Sequence, residues 1–326
     1  MQQLVADSPA GPPPALPSAP RRFAAFAWGV LAYNMAVIVW GALVRATGSG
    51  AGCGGHWPLC NGEALPQLAR AATVIEFTHR MMSGLALALV VTLFVWAFRA
   101  YAPGHPVRRW AAWSLVFILT EALLGAALVL LGHVAKNEST GRIYSLSAHL
   151  INTFLLLASL ALAAWWASLR DAAPAGPRKG GGSLPLLVSA LPLAALVLVA
   201  IAGAITALGD TLFPAHSLAE GMRDDFASTA HFLVRLRIIH PALAIAAAGF
   251  LGWLAMTEFR ARRTLRLYWL SGGLLALVVA EVLAGAGNIL LRAPLPMQLI
   301  HLLIADSLWI TLVLFSTERA RSGTRP

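Results

Sequence analysis

Eight apolar runs recur along the chain, at about residues 23–45, 73–98, 108–132, 144–168, 184–208, 236–257, 266–291 and 297–316. Polar residues collect between these runs rather than alternating within them. About 20 apolar residues in a helix cross the roughly 30 Å hydrocarbon core of a bilayer. The pattern therefore predicts an all-α integral membrane protein with eight transmembrane helices. Composition agrees: 58% of the 326 residues are hydrophobic and only 12% charged, with a mean hydropathy of +0.72, more than a soluble domain of this size carries.

The net charge of +10 would suit a nucleic-acid partner, but its placement excludes that class. With the N-terminus inside, the inner segments hold Arg21, Arg22, Arg99, Arg108, Arg109, Arg170, Arg178, Lys179, Arg260, Arg262, Arg263, Arg266, Arg319, Arg321 and Arg325. The other face receives fewer cations and most of the acidic loop residues. This positive-inside pattern predicts that both termini are cytoplasmic, in the cell (inner) membrane. Arg21 and Arg22 precede the first span as they would in a signal peptide, but the apolar run is too long for one and is read as a retained helix.

Residues 1–22, rich in Pro and Ala, are expected to form a disordered tail. Residues 171–183, centred on Pro-Arg-Lys-Gly-Gly-Gly, are expected to be a flexible linker between an N-terminal bundle (23–170) and a C-terminal bundle (184–317), with a cytoplasmic tail at 318–326. The halves repeat at an offset of about 160 residues. Gly41-Ala-Leu-Val matches Gly203-Ala-Ile-Thr, and Glu121-Ala-Leu-Leu-Gly-Ala-Ala matches Glu281-Val-Leu-Ala-Gly-Ala-Gly. Four spans per half give both halves the same orientation. The expected architecture is two four-helix bundles related by a pseudo-twofold axis along the membrane normal.

Four histidines fall in register within this repeat: His79 with His240, and His149 with His301. All four lie toward the outer ends of their spans. A neutral imidazole in a bilayer is costly unless coordinated or hydrogen-bonded, and two matched pairs point to two bis-histidine hemes. Zinc or copper would need further ligands at suitable spacing, and neither pair has them. Small residues such as Gly84, Gly125, Gly203 and Gly285 let helices or a flat macrocycle come close.

The halves differ beside the first histidine of each pair. Glu76 and His79 share one helix face, whereas the position matching Glu76 is Arg237, suited to pairing with a heme propionate. Glu76 has two readings: a carboxylate that works on a substrate beside the first site, or one tied in a salt bridge to Arg80 or Arg45. The two cysteines, Cys53 and Cys60, sit in the first outer loop, where a disulfide is allowed. They are either a structural clip or a redox pair.

Thr47-Gly-Ser-Gly, the loop Cys53-Gly-Gly-His-Trp-Pro-Leu-Cys60-Asn-Gly and Glu76-Phe-Thr-His79-Arg80 together resemble the heme A synthase family over residues 25–316. The resemblance implies oxidation of the C8 methyl group of heme O to a formyl group, giving heme A for terminal oxidases. It implies heme O as substrate between His79 and His149, heme b between His240 and His301, and a functional role for Glu76. Cys53 and Cys60 match a loop pair found in some members. Implied partners are heme O synthase, an electron carrier and membrane lipid, and small-residue helix faces permit a homo-oligomer. On the residues alone, a diheme electron-transfer protein and a heme transporter or chaperone stay open as alternatives.

Overall fold

A computed structural model describes residues 18–67, 69–169 and 183–322. Ten α-helices follow one another: α1 (Ser18–Ala46), α2 (Ala71–Ala100), α3 (Pro106–Leu130), α4 (Thr140–Ser168), α5 (Ser183–Leu212), α6 (Leu218–Phe226), α7 (Phe232–Arg235), α8 (Ile239–Ala261), α9 (Leu265–Leu291) and α10 (Leu295–Ser322). Eight helical stretches are long and apolar enough to cross a membrane. Together with the family assignment below, they make this a multi-pass membrane protein.

Local chemistry sets the helix ends. Ser139 and Thr264 accept the backbone N–H groups of Arg142 and Leu267 at the starts of α4 and α9, satisfying donors that a helix N-terminus leaves open. Pro106 stands in the first turn of α3, where its missing N–H costs nothing. The third span ends at Leu130, short of the expected 132. Gly132 takes a left-handed φ of 67°, and the His133 N–H folds back onto the Leu128 carbonyl at 2.8 Å, closing the helix.

Other expected boundaries also shift. Residues 18–22, assigned to the tail by composition, begin α1, and residues 318–322 continue α10. Positions 1–17, 170–182 and 323–326, which include nearly all of the expected linker, lie outside the described residues. The sixth span has a broken entrance: α7 passes through a 3-10 turn at Leu236–Ile238 into α8. The helix α6 was not anticipated, because nine residues are too few to register in a span-length hydropathy pattern.

In the N-terminal half α1 packs on α2 and α4, and α3 on α2 and α4; in the C-terminal half α5 packs on α8 and α10, and α9 on α8 and α10. Each half is thus a ring of four long helices. The rings meet where α1 and α4 touch α5 and α10. The seam is centred on α4 and α10, buried over 67% and 44% of their apolar windows, against 17–33% for the other spans. Lipid tails are as apolar as the helices, so close packing and interhelical hydrogen bonds must hold such a seam. Phe154 stacks on Trp309 with ring centroids 4.7 Å apart, and the Trp309 indole N–H donates to the Phe154 carbonyl at 2.7 Å. Within the first half, Ser114 donates to Ser159 at 3.0 Å, and Trp40 to the Ile75 carbonyl at 3.0 Å. Bonds of this kind contribute about 0.6 kcal/mol each in a membrane.

Candidate heme sites

All four histidines stand in the early turns of their helices, on α2, α4, α8 and α10. They therefore lie at one end of the molecule, the end that carries the Cys53–Cys60 disulfide. In the C-terminal half the rings of His240 and His301 are 6.4 Å apart between centroids and inclined by 74°. Two imidazoles on opposite sides of one metal ion would show nearly this separation, given about 2 Å per metal–nitrogen bond and about 1 Å from each nitrogen to its ring centre.

What holds the imidazoles also fits axial ligation. His149 turns Nδ1 toward Glu121 of α3 at 3.5 Å, and His301 turns Nδ1 toward Glu281 of α9 at 3.3 Å. Both contacts are ion-pair approaches, without hydrogen-bond geometry. The Nδ1 of His240 lies 3.1 Å from the Val199 carbonyl. At His240 an acceptor at Nδ1 favours the tautomer that leaves Nε2 for a metal, and at His149 and His301 a carboxylate stands on the same side of the ring, where carboxylate–histidine pairs place it in metal sites. His79 keeps a buried Nδ1 with no hydrogen-bond partner.

Glycine makes room for the rings. A Cβ at Gly41 would stand 3.0 Å from the His79 Cε1, and one at Gly203 would stand 2.9 Å from the His240 Cε1. Substitution at either position would push the imidazole from its place. Gly125 and Gly285 border His149 and His301 less tightly, at 3.9 and 3.5 Å, while Gly84 borders nothing within 4 Å. Among the described residues no three His, Cys, Asp or Glu side chains converge as a metal cage would need. The histidines stand in pairs, the arrangement in which a porphyrin iron takes protein ligands.

The carboxylates Glu121 and Glu281 are functional candidates that the sequence reading used only to align the repeat. Glu121 accepts from Asn152 Nδ2 at 2.6 Å and from the Thr153 hydroxyl. At the matching positions the second half carries Ile304 and Ala305. It carries instead Asp306, fully buried, with neither carboxyl oxygen hydrogen-bonded. The signal available in the sequence was an intramembrane glutamate repeated at one register.

Glu76, 3% exposed, lies one turn before His79. Its Oε2 accepts the Cys53 N–H at 2.8 Å, and its Oε1 accepts from Arg80 Nη2 at 2.6 Å. Arg80 Nη1 also donates to the carbonyls of His56 and Leu59, both at 2.8 Å. The Arg80 salt bridge is therefore present, and the pair Glu76–Arg80 fastens the disulfide loop onto α2. Gly52 lets that loop lie against the helix: a Cβ there would run into the Ala72 carbonyl. Arg45 takes no part in this cluster.

Arg237 is held by two carboxylates. Its Nε donates to Asp225 at 2.9 Å and its Nη1 to Asp210 at 3.0 Å, tying α6 and α5 to the entrance of α8. These partners lie 12 and 27 residues away, Asp225 on the short helix α6 and Asp210 in the last turn of α5, and no local spacing announces them.

A model of the cytochrome oxidase assembly protein family, COX15-CtaA, matches residues 24–313. The chain is 44% identical over 311 residues to a Thermus thermophilus protein named protoheme IX farnesyltransferase, covering 93% of this chain and 49% of that protein. It is 45% identical over 96 residues to a heme A synthase of Geobacillus kaustophilus, covering 29% of this chain and 30% of the relative. A heme A synthase of Halalkalibacterium halodurans is 38% identical over 125 residues, covering 38% and 41%. The chain spans about half the length, or less, of these curated relatives.

Proposed function

Because the chain belongs to the COX15-CtaA family of cytochrome oxidase assembly proteins, we propose that it acts as a heme A synthase, an oxidoreductase that converts the C8 methyl group of heme O to a formyl group. The substrate heme O is bound between His79 and His149, and a resident heme b between His240 and His301. The observation that carries this reading is one asymmetry between two similarly built pairs. Each second histidine is backed by a glutamate, but only the first pair has a buried carboxylate, Glu76, one turn before its first histidine.

When bound, heme b supplies one-electron redox capacity. The protein's own residues bind and orient. His79 and His149 hold the porphyrin between α2 and α4, and Glu121 keeps the His149 ring turned. Two successive hydroxylations of the methyl carbon, which together take up two waters and release four protons and, to the external electron carrier, four electrons, would give a gem-diol, which loses one water to leave the aldehyde. Glu76 stabilises positive charge developing at that carbon or accepts its proton. The Arg80 guanidinium and the Cys53 N–H hold its two oxygens meanwhile. Cys53 and Cys60 serve this arrangement by fixing the loop from which that N–H is presented.

The same reading places both termini in the cytoplasm and the histidine end toward the outside. It also implies an electron carrier and a supplier of heme O. The name of the Thermus relative, whose length the chain half covers, supports a farnesyltransferase as that supplier.

Glu76→Ala tests the reading directly. The variant, expressed with a heme O supply, is expected to retain heme but stall before heme A in extracted pigment. Pigment that is fully heme A would remove Glu76 from the chemistry. An electron-transfer protein or a heme carrier would yield no heme A even from the unaltered chain.

A further inference from the structure

Arg45, in the last turn of α1, belongs to the N-terminal half, yet all its hydrogen-bond partners belong to the other. Its Nη1 donates to the Ala207 carbonyl at 2.7 Å and to the Thr211 hydroxyl at 2.9 Å, both on α5. Its Nη2 donates to Gln298 Oε1 of α10 at 3.1 Å. A guanidinium carries five N–H donors, so these contacts leave two unspent. Among the described residues no carboxylate lies within ion-pair distance of Arg45. The charged groups whose fields reach it are Arg142, which repels it, and Asp210, whose carboxylate is committed to Arg237 at 3.0 Å. A cation held in a membrane span without an anion is expensive, and its placement says where the anion belongs.

Val199, Gly203, Ala207 and Thr211 follow one another at four-residue intervals and form one stripe of α5. The first two face His240, through the Val199 carbonyl and the close approach at Gly203. The next two hold Arg45. On α10, Gln298 precedes His301 by three residues and shares its face. The guanidinium therefore bridges the two helix faces that position His240 and His301, about one turn beyond the imidazole on α10 and about two turns beyond it on α5, roughly 5–12 Å. Arg237, by contrast, already has two carboxylates.

We propose that Arg45, supplied by the N-terminal half, binds a propionate of the porphyrin held by His240 and His301. The assignment rests on the reading of those histidines as an axial pair. A planar fork with two free donors suits a carboxylate, and the resulting ion pair neutralises charge at the heme edge. Losing it leaves an uncompensated negative charge, which favours the ferric form.

The test uses the full-length protein purified with its hemes, titrated spectroelectrochemically. The C-terminal component is identified as the one lost in His301→Ala. Arg45→Gln is expected to shift its reduction equilibrium about tenfold toward ferric, which is 59 mV for one electron, while Arg45→Lys retains most of the wild-type value. The component lost in His149→Ala stays in place. An unmoved C-terminal component, or a shift confined to the other, overturns the assignment. If His301→Ala removes no component, the axial pair itself is wrong, a separate failure. Should Arg45→Gln fail to accumulate, Thr211→Val loosens one of the three contacts that aim the guanidinium. It is expected to move the same component in the same direction by a smaller factor, and no movement again overturns the assignment.

Discussion

The two halves share a scaffold and differ in what surrounds it. In each, a glycine of the first long helix lies against the first histidine, and a glutamate of the third faces the second histidine. Around the N-terminal pair the two carboxylates are hydrogen-bonded. Glu121 is bound by Asn152 and Thr153, and Glu76 by Cys53 and Arg80. Around the C-terminal pair Asp306 stands without a hydrogen-bond partner, and Arg45 reaches in from the other half. The repeat preserves the histidines together with the glycine and the glutamate that flank them. It diverges in the surrounding groups, where one site is proposed to react and the other to hold a cofactor.

The largest test of this division removes the ligands. His149→Ala is expected to abolish heme A formation and to cost the first-half heme, because one axial bond and its backing carboxylate go together. His301→Ala is expected to remove the second heme while the first half still binds its porphyrin. Pyridine hemochrome spectra of the purified variants report this. If either variant empties both halves equally, the sites are not separable and the comparison fails.

A smaller effect is expected one shell out. Glu121→Leu and Glu281→Leu should each weaken heme retention in their own half by about 10–100-fold, the usual cost of losing a partner that orients a ligating histidine. Only Glu121→Leu also removes two hydrogen bonds, those from Asn152 Nδ2 and from the Thr153 hydroxyl, which keeps its bond to the His149 carbonyl. It should therefore lose about 1–3 kcal/mol more stability, read from denaturation in detergent. Equal losses would mean that the hydrogen bonds around Glu121 do not distinguish the halves.

Much of this was legible in the sequence because membrane physics writes long signals. Eight apolar runs gave eight helices, and charged residues so rare in spans made the four histidines and Glu76 conspicuous. What escaped was short or distant. The helix α6 spans nine residues and shows no span-length pattern. The partners of Arg45 lie 162 to 253 residues away, and no local spacing announces them. Arg237 was read by its offset from Glu76, but its environment is set by Asp210 and Asp225. Glu121 and Glu281 were visible as a repeated motif, yet their contact with histidine depends on how α3 meets α4 and α9 meets α10.

The smallest and sharpest comparison concerns position 306 and its counterpart in the repeat, Phe154. Phe154 stacks on Trp309 and helps close the seam. Asp306 is fully buried, within reach of the Glu281 charge, and has no hydrogen-bond partner. A buried unpartnered polar group costs about 1–3 kcal/mol, and an apolar replacement of similar volume relieves it. Asp306→Leu is therefore expected to raise stability by that amount if the residue is a burden alone, with the spectrum of the C-terminal heme unchanged. A variant that is instead less stable, or whose heme spectrum shifts, would show that Asp306 acts through Glu281 on His301. The second half would then have its own specialised carboxylate, and the contrast with Glu76 would be one of kind rather than of presence.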